Sequence, residues 1–239
     1  MPPGYCGISG LVADDGTVPL RLQKTPGETI TVSMPLVPAG ERIAAVQGLH
    51  LTQPMARSRN GYYWHEYLSG SHTLYVQYNV CANDPKERFR DFVRNVFADA
   101  DAHPVKCVVL DLRNNGGGDE HVIGPLKDGL AARARKLGPL YVLIGPATFS
   151  SAVDNAGTLR REFSAKLVGE PSGGMPGGYG EVNMVTLPNS KLVVRFTTKG
   201  SPPKGGEPVN LIPDILAPLN LADYLAGRDP ALDAAIRAN

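Results

Sequence analysis

Apolar and polar positions follow two alternating periods in the middle of the chain. Short apolar runs of strand length predict β-strands at 74–80, 108–112, 140–144 and 165–168. Helical spacing and start signals predict helices from Asp84-Pro85 onward, at about 119–136 and at about 150–162. Strands that alternate with helices favour an α/β fold in which right-handed crossovers build a parallel sheet.

The regions on either side are predicted to be richer in β-structure. Residues 8–49 contain an Asp15-Gly16 hairpin signal and an alternating run at 29–34 that predicts a strand. Residues 50–72 have the composition of a loop with an aromatic cluster. Near the C-terminus, 182–187 and 191–197 predict a hairpin, and Asp229-Pro230 predicts the start of a last short helix. We expect a small β-rich segment at 1–60 and an α/β domain at 61–239.

Composition excludes a few classes of function and leaves the compartment open. A net charge of +1 gives no electrostatic argument for nucleic acid or for an anionic membrane. No apolar run reaches transmembrane length, so no membrane span is expected. The N-terminus MPPGYCGISG lacks a signal-peptide pattern, which fits a cytoplasmic protein and equally a trimmed secreted or periplasmic one.

No metal site is expected from the residue pattern. Cys6, Cys81 and Cys107 are far apart and fit no zinc spacing. The acidic string Asp119-Glu120-His121 would point to different faces of the predicted helix, so it does not predict a metal site either.

The candidate chemistry lies where two predicted strands end. The strand 108–112 runs into a glycine turn at 116–118, and the strand 140–144 runs into Thr148-Phe149-Ser150-Ser151, where a helix begins. In open α/β sheets, ligands bind just beyond the carboxyl ends of the strands. A serine hydroxyl beside backbone N–H groups suits acyl transfer, because the amides can hold an oxyanion. The simpler alternatives are a helix N-cap and a tight turn.

These residues, taken together, resemble a known family. The motifs LDLRNNGGG, TFSSA, LVGEPSGG and a late PDI occur in that order, and the chain also contains YVQYN and LPNS. They resemble the tail-specific (C-terminal processing) serine proteases and their tricorn and interphotoreceptor retinoid-binding protein-like relatives, over roughly residues 60–239. The resemblance implies a spiral α/β domain of the Clp protease/crotonase type, often with a PDZ-like module, of which the β-rich N-terminal segment would be a remnant. Such folds often assemble into rings, so it also implies a homo-oligomer, and it implies no cofactor.

Carried over by position, the resemblance assigns several site residues. The family nucleophile falls on Ser150, and its oxyanion donors fall on the N–H groups of Gly116 or Gly117 and of Ser151. The lysine base of the Ser-Lys branch falls on Met175, which cannot accept a proton. The tricorn-like branch uses serine, histidine and glutamate, and Glu207 stands six residues before Pro213-Asp214 as that glutamate does.

The histidine of a tricorn-like triad has no clear equivalent in the sequence. His121 follows the glycine turn and is the candidate base, although a first-turn helix residue facing solvent is the simpler interpretation. The other histidines are His50, His65, His72 and His103. A general base must reach the hydroxyl directly or through one water.

Three functions fit these observations. We expect a serine hydrolase, and specifically a peptidase acting on peptides or proteins. The second is a catalytically incomplete relative that binds a peptide or an apolar ligand in the same crevice, which Met175 and the missing histidine favour. The third, a crotonase-type acyl-CoA enzyme, shares the oxyanion logic, but the motif set matches the protease branch better.

Overall fold

The structure is a computed structural model, and it describes residues 12–25, 27–35, 61–201 and 209–239. The chain divides into two units, 1–50 and 51–239. In the first unit, β1 (Thr17–Thr25) and β2 (Glu28–Pro35) form an antiparallel hairpin. The run at 29–34 is therefore a strand, as expected. Asp15-Gly16 is not the hairpin turn, because it lies just before β1, where the Asp15 carboxylate accepts the Thr17 N–H. Whether this unit is related to a PDZ module stays a prediction.

The second unit contains the remaining elements. In chain order they are β3 (Tyr63–Leu68), β4 (Thr73–Tyr78), α1 (Phe89–Ala102), β5 (Cys107–Asp111), α2 (Gly124–Ala132), β6 (Leu140–Ile144), α3 (Ser151–Phe163), β7 (Lys166–Gly169), β8 (Gly178–Thr186), β9 (Val193–Ser201), β10 (Ile215–Leu216), α4 (Leu221–Leu225) and α5 (Pro230–Arg237).

A six-stranded sheet in the order β10-β7-β6-β5-β4-β3 organises this unit. All neighbouring strands are parallel except β3, which pairs antiparallel with β4 at one edge. The carboxyl ends of β5, β6 and β7 therefore meet at one edge of the sheet, where the loops that follow them lie side by side. This confirms the expected mixed α/β fold with a parallel sheet.

Apolar cores cover both faces of the sheet. Val108 and Leu110 face a large core with α1, α2 and α3, whereas Cys107 and Val109 face a smaller core with α5. Burial on both faces explains why the central strands are continuous apolar runs rather than alternating ones.

Several expected element boundaries were wrong. The aromatic part of 50–72 is the edge strand β3 and not a loop. Helix α1 begins at Phe89 instead of Asp84, because the Asp84 carboxylate accepts the Lys86 N–H within a separate turn. Asn83 instead accepts the Phe89 N–H, at 3.0 Å. Helix α2 begins at Gly124, after a turn over 119–123.

The predicted C-terminal features are present. Strands β8 and β9 form the expected hairpin as a separate two-stranded sheet. Away from the turn, each strand is about four residues longer than predicted, because β8 begins at Gly178 and β9 ends at Ser201. Asp229 caps α5 by accepting the Leu232 N–H, with Pro230 in the first turn. Among the residues that the structure describes, no helix combines the length and the apolar character that a membrane crossing would need.

Candidate functional site

Ser150 occupies a strained turn between β6 and α3. Its backbone has φ 52° and ψ −131°, immediately before the first residue of the helix. By contrast, Ser164 also has a positive φ, but with ψ 30° it is an ordinary left-handed helix end. The Ser150 conformation is one that residues with a side chain rarely adopt, and such strain concentrates at functional sites.

Thr148 holds the turn in place through its side chain. Its buried hydroxyl donates to the Leu112 carbonyl at 2.9 Å and accepts the Gly145 N–H at 3.0 Å. These two bonds join the exits of β5 and β6. The Phe149 N–H then donates to the Asn115 carbonyl at 3.0 Å, so the two exit loops continue side by side up to Ser150.

Asn115 holds the shape of the glycine turn. Its fully buried side chain donates to the Tyr78 carbonyl at 2.8 Å and accepts the Gly117 N–H at 2.9 Å. The turn is therefore tied to the end of β4 as well as to its own backbone. Of the two glycines that the sequence suggested as oxyanion donors, Gly117 already donates its N–H within the turn.

Gly117 lies directly against Ser150. A β-carbon added at Gly117 would stand 2.7 Å from Ser150 Cβ and 3.2 Å from its Oγ, and the Gly117 φ is +106°. On the other side, the Ser151 hydroxyl donates to the Gly118 carbonyl at 2.5 Å. The structure thus brings Ser150, Ser151 and the glycine turn together.

Two further backbone N–H groups belong to this arrangement, those of Gly116 and Ser151. Gly116 is exposed, and Ser151 is the first residue of α3. Neither N–H has a hydrogen-bond acceptor within the described parts of the chain. The N-terminus of a helix also carries partial positive charge, which favours an anion beside Ser151.

The loop that follows β7 packs beside Ser150. The Gly173 N–H donates to the Thr148 carbonyl at 3.0 Å, and a β-carbon at Gly174 would stand 2.9 Å from the Phe149 ring. Further along, the Gly177 N–H donates to the Asp154 carboxylate at 3.0 Å. Met175 lies between these anchors, which is where the resemblance locates a lysine base, and its side chain is exposed.

No described side chain forms a hydrogen bond with Ser150 Oγ. His72 bonds with the Tyr67 hydroxyl and His103 stacks on Tyr67, so both lie at the amino edge of the sheet. The length of β4, about 20 Å at strand spacing, separates that edge from the carboxyl edge. His65 lies in β3 with Nε2 3.4 Å from an Asp99 carboxylate oxygen. These three histidines are not candidates for the base.

His121 lies on the carboxyl side of the sheet, three residues after Gly118. Its side chain is exposed and lines a cavity of about 500 Å³ with Asn83, Arg88 and the start of α1. Ser150 is not part of that lining. The other proposed member of a triad, Glu207, lies outside the described residues, as does His50.

Sequence reasoning did not predict two groups of buried polar contacts near the site, around Arg113 and around Cys81. Arg113 binds the carboxylates of Asp111 (2.5 Å) and Asp229 (2.7 Å), and the contact with α5 across more than 100 residues leaves no local sequence signal. Burial alone would lower the pKa of Arg113, but the two carboxylates outweigh it and hold that pKa well above its ordinary value.

Cys81 is the second such feature. Its backbone pairs with Gly118, and its buried thiol lies 3.5 Å from Asn115 Oδ1 and 3.6 Å from Asn155 Nδ2. Burial raises the pKa of this thiol, so it is protonated and unreactive at neutral pH. The described residues also contain no cluster of histidine, cysteine or carboxylate side chains suited to a metal ion.

Comparison with known proteins gives structural relatives only. No family model and no curated protein sequence matches the chain. A structure from Parabacteroides merdae ATCC 43184 described as a peptidase matches with a TM-score of 0.56 at 20% identity, covering 75% of this chain and 65% of that chain. One from Bacteroides fragilis NCTC 9343 described as an S41 protease matches with a TM-score of 0.52 at 18% identity, covering 93% and 64%.

Mature CPAF complexed with lactacystin is a third similar structure, with a TM-score of 0.60 at 14% identity over 93% of this chain and 67% of that chain. One of these neighbours is described as an S41 protease and another as a peptidase, and their similarity confirms the resemblance at the level of the fold. The present chain spans 65% and 64% of the length of the first two structures.

Proposed function

We propose that this protein is a serine peptidase in which Ser150 is the nucleophile. The observation that carries the proposal is the strained backbone of Ser150 at a strand-to-helix turn, pressed against the glycine turn. Strain of this kind holds a hydroxyl away from the helix and towards an incoming substrate. The fold shared with S41 peptidases supports the same function.

The reaction follows from the groups around Ser150. Its Oγ attacks the carbonyl carbon of a peptide bond while a base removes the hydroxyl proton. The carbonyl oxygen becomes an anion, which the N–H groups of Gly116 and Ser151 would hold at the N-terminus of α3. The amine leaves with the proton, and water then releases the acyl group from Ser150.

His121 is the proposed base and Glu207 its proposed partner. Among the described histidines, His121 alone follows the glycine turn on the carboxyl side of the sheet. Replacing His121 by Asn or Glu207 by Gln should lower kcat by at least about a hundredfold, since general base catalysis contributes that much. Unchanged kcat in either variant would remove that residue from the proposed triad.

The α/β unit would be a spiral domain of the Clp protease/crotonase type, the substrate a peptide or protein chain, and the assembly a homo-oligomer. Each rests on the motif resemblance together with the shared fold, and none requires a cofactor.

The direct experiment measures hydrolysis of an unstructured protein such as casein, with mass spectrometry of the products. The native chain should release peptides, Ser150→Ala should release none, and Ser151→Ala should retain activity, since its backbone N–H is kept. Equal activity of Ser150→Ala and the native chain would exclude the proposal.

A binder with an incomplete site is the second candidate. It is favoured by Met175 at the lysine position and by the lack, among the described side chains, of a hydrogen bond to Ser150 Oγ. In that case Met175→Lys, but not the matched Met175→Leu, should create reactivity at Ser150. Reactivity already present in the native chain would exclude this candidate.

A further inference from the structure

A second cavity opens at the carboxyl edge of the sheet, on the side of α5. It has a volume of about 310 Å³ and is lined mainly by apolar groups, which include Ile144, Pro146, Ala147, Ala217, Leu219 and Pro230. Ligand pockets range from roughly 300 to 1,000 Å³, so this one suits a single side chain rather than a large ligand. We refer to it as the Glu170 cavity, after its acidic wall residue.

The charge around the Glu170 cavity is negative. Arg113 lines it, but its guanidinium is bound by the carboxylates of both Asp111 and Asp229. The three side chains together therefore carry a net charge of about −1. Glu170 adds a further carboxylate to the wall. That carboxylate has no hydrogen-bond or ion-pair partner anywhere in the described residues.

The N-terminus of α5 does not make the Glu170 cavity a binding site for an anion. The N-terminus of α5 reaches the cavity, yet Pro230 has no N–H to offer and Asp229 already accepts the Leu232 N–H. The helix end is therefore covered by a carboxylate. A cation with an aliphatic stem fits better, because lysine and arginine bury their stems on apolar surface while the charged end keeps a polar partner.

The cavity also lies within reach of the proposed nucleophile. Ala147 lines it and is three residues before Ser150, so their Cα atoms are separated by at most about 11 Å. Asn114 lines it from the loop that leads to the glycine turn. An extended peptide advances about 3.3 Å per residue, so a side chain within about three residues of the attacked bond could enter the cavity.

We propose that the Glu170 cavity binds the lysine or arginine side chain of a peptide substrate, with the Glu170 carboxylate as the partner of the cation. The inference rests on the proposed peptidase function for its substrate, but not for the binding of the cation itself. The cation would lie against Glu170, and the stem would lie along Ile144, Pro146 and Ala217.

Binding of agmatine, a four-carbon stem with a guanidinium at one end and an ammonium at the other, tests the cavity without any catalysis. Titration followed by NMR should shift the amides of Ala147 and Ala217, and Glu170→Gln should weaken binding at least about tenfold, because a charged contact is lost. Glu162→Gln removes the same charge from the far end of α3 and should leave binding unchanged. No binding, or equal binding by Glu170→Gln, would overturn the proposal.

Cleavage of a peptide pool separates this inference from the peptidase assignment. Native protein should prefer peptides with lysine or arginine near the cut, and Glu170→Gln should lose that preference while still cutting other peptides. Cleavage that shows no basic preference would contradict the inference and leave the peptidase function intact. Agmatine binding with no cleavage of any peptide would contradict the peptidase function and leave the cation site intact.

Discussion

Ser150 adopts its conformation because its neighbours leave it no alternative. Thr148 fixes the approach from β6, α3 fixes the exit, and Gly117 fills the space beside the Ser150 Cβ. Strained residues of this kind persist only when the surrounding structure determines them. The orientation of the hydroxyl therefore depends on residues that need not touch a substrate.

Gly117→Ala should damage both the fold and the site. A methyl there would meet Ser150 Cβ at 2.7 Å, and alanine is strained at φ +106°, so we expect the free energy of unfolding to fall by more than about 1 kcal/mol. Urea unfolding measures that loss, and reactivity of Ser150 should be lost with it.

The neighbouring glycine supplies a matched control. A β-carbon at Gly116 would meet no atom within 4 Å, and the backbone N–H proposed for the oxyanion is kept. Gly116→Ala should retain stability and reactivity. If the two variants behave alike, the contact between Gly117 and Ser150 is not what positions the site.

The sequence located these residues but not their individual contacts. Ser150 and the glycine turn follow apolar strands, so topology alone places them at one edge of the sheet. The hydrogen bond from the Gly117 N–H to the Asn115 side chain depends on a rotamer that no sequence pattern records.

At the scale of elements, a buried ion pair adds to the apolar contacts that hold α5 against the sheet. Asp229 both caps the helix and binds Arg113, and only 7% of its side chain is exposed. Removing Asp229 leaves Arg113 paired with Asp111, but it takes away the helix cap and two hydrogen bonds to the buried guanidinium.

Asp229→Ala should therefore lower the free energy of unfolding by about 3 kcal/mol, from the lost cap and the lost charged hydrogen bonds, and speed hydrogen exchange in α5. Asp233→Ala, an exposed change in the first turn of the same helix, should have an effect within about 0.5 kcal/mol. Similar losses in both variants would show that the Arg113 pair does not hold α5.

Element boundaries were predictable only where periodicity was strong. The central strands and α3 were found because their apolar runs are buried on both faces or along one helical face. Strand β3 was missed because it lies at the edge of the sheet, where polar residues such as His65 and Glu66 are half-buried and the sequence does not alternate between apolar and polar positions. The start of α1 was misplaced because Asp84-Pro85 begins a turn with the same sequence signals as a helix.

At the scale of the whole molecule, buried ionisable groups lower the stability of the folded state at alkaline pH. Burial raises the pKa of the Cys81 and Cys107 thiols and of the Tyr75 and Tyr78 hydroxyls above their ordinary values. The folded state thus holds these protons more tightly than the unfolded chain does. Their contribution to stability is complete below the ordinary pKa of a thiol, about 8.5, and is lost as pH rises above it.

The free energy of unfolding should therefore fall steadily between pH 8.5 and 10.5, as measured by urea titration. Cys81→Ala should reduce the steepness of that fall, whatever it does to stability at pH 7. A free energy that stays constant over this range would contradict the burial of these groups.

The measurement that tests the central claim most directly is labelling by a fluorophosphonate probe. The native chain should react between pH 6 and 9, which brackets the usual pKa of a histidine base. Ser150→Ala should not react, and Ser151→Ala should still react. Labelling that persists in Ser150→Ala, or a native chain that fails to react at any of these pH values, would contradict the claim that Ser150 is an activated nucleophile.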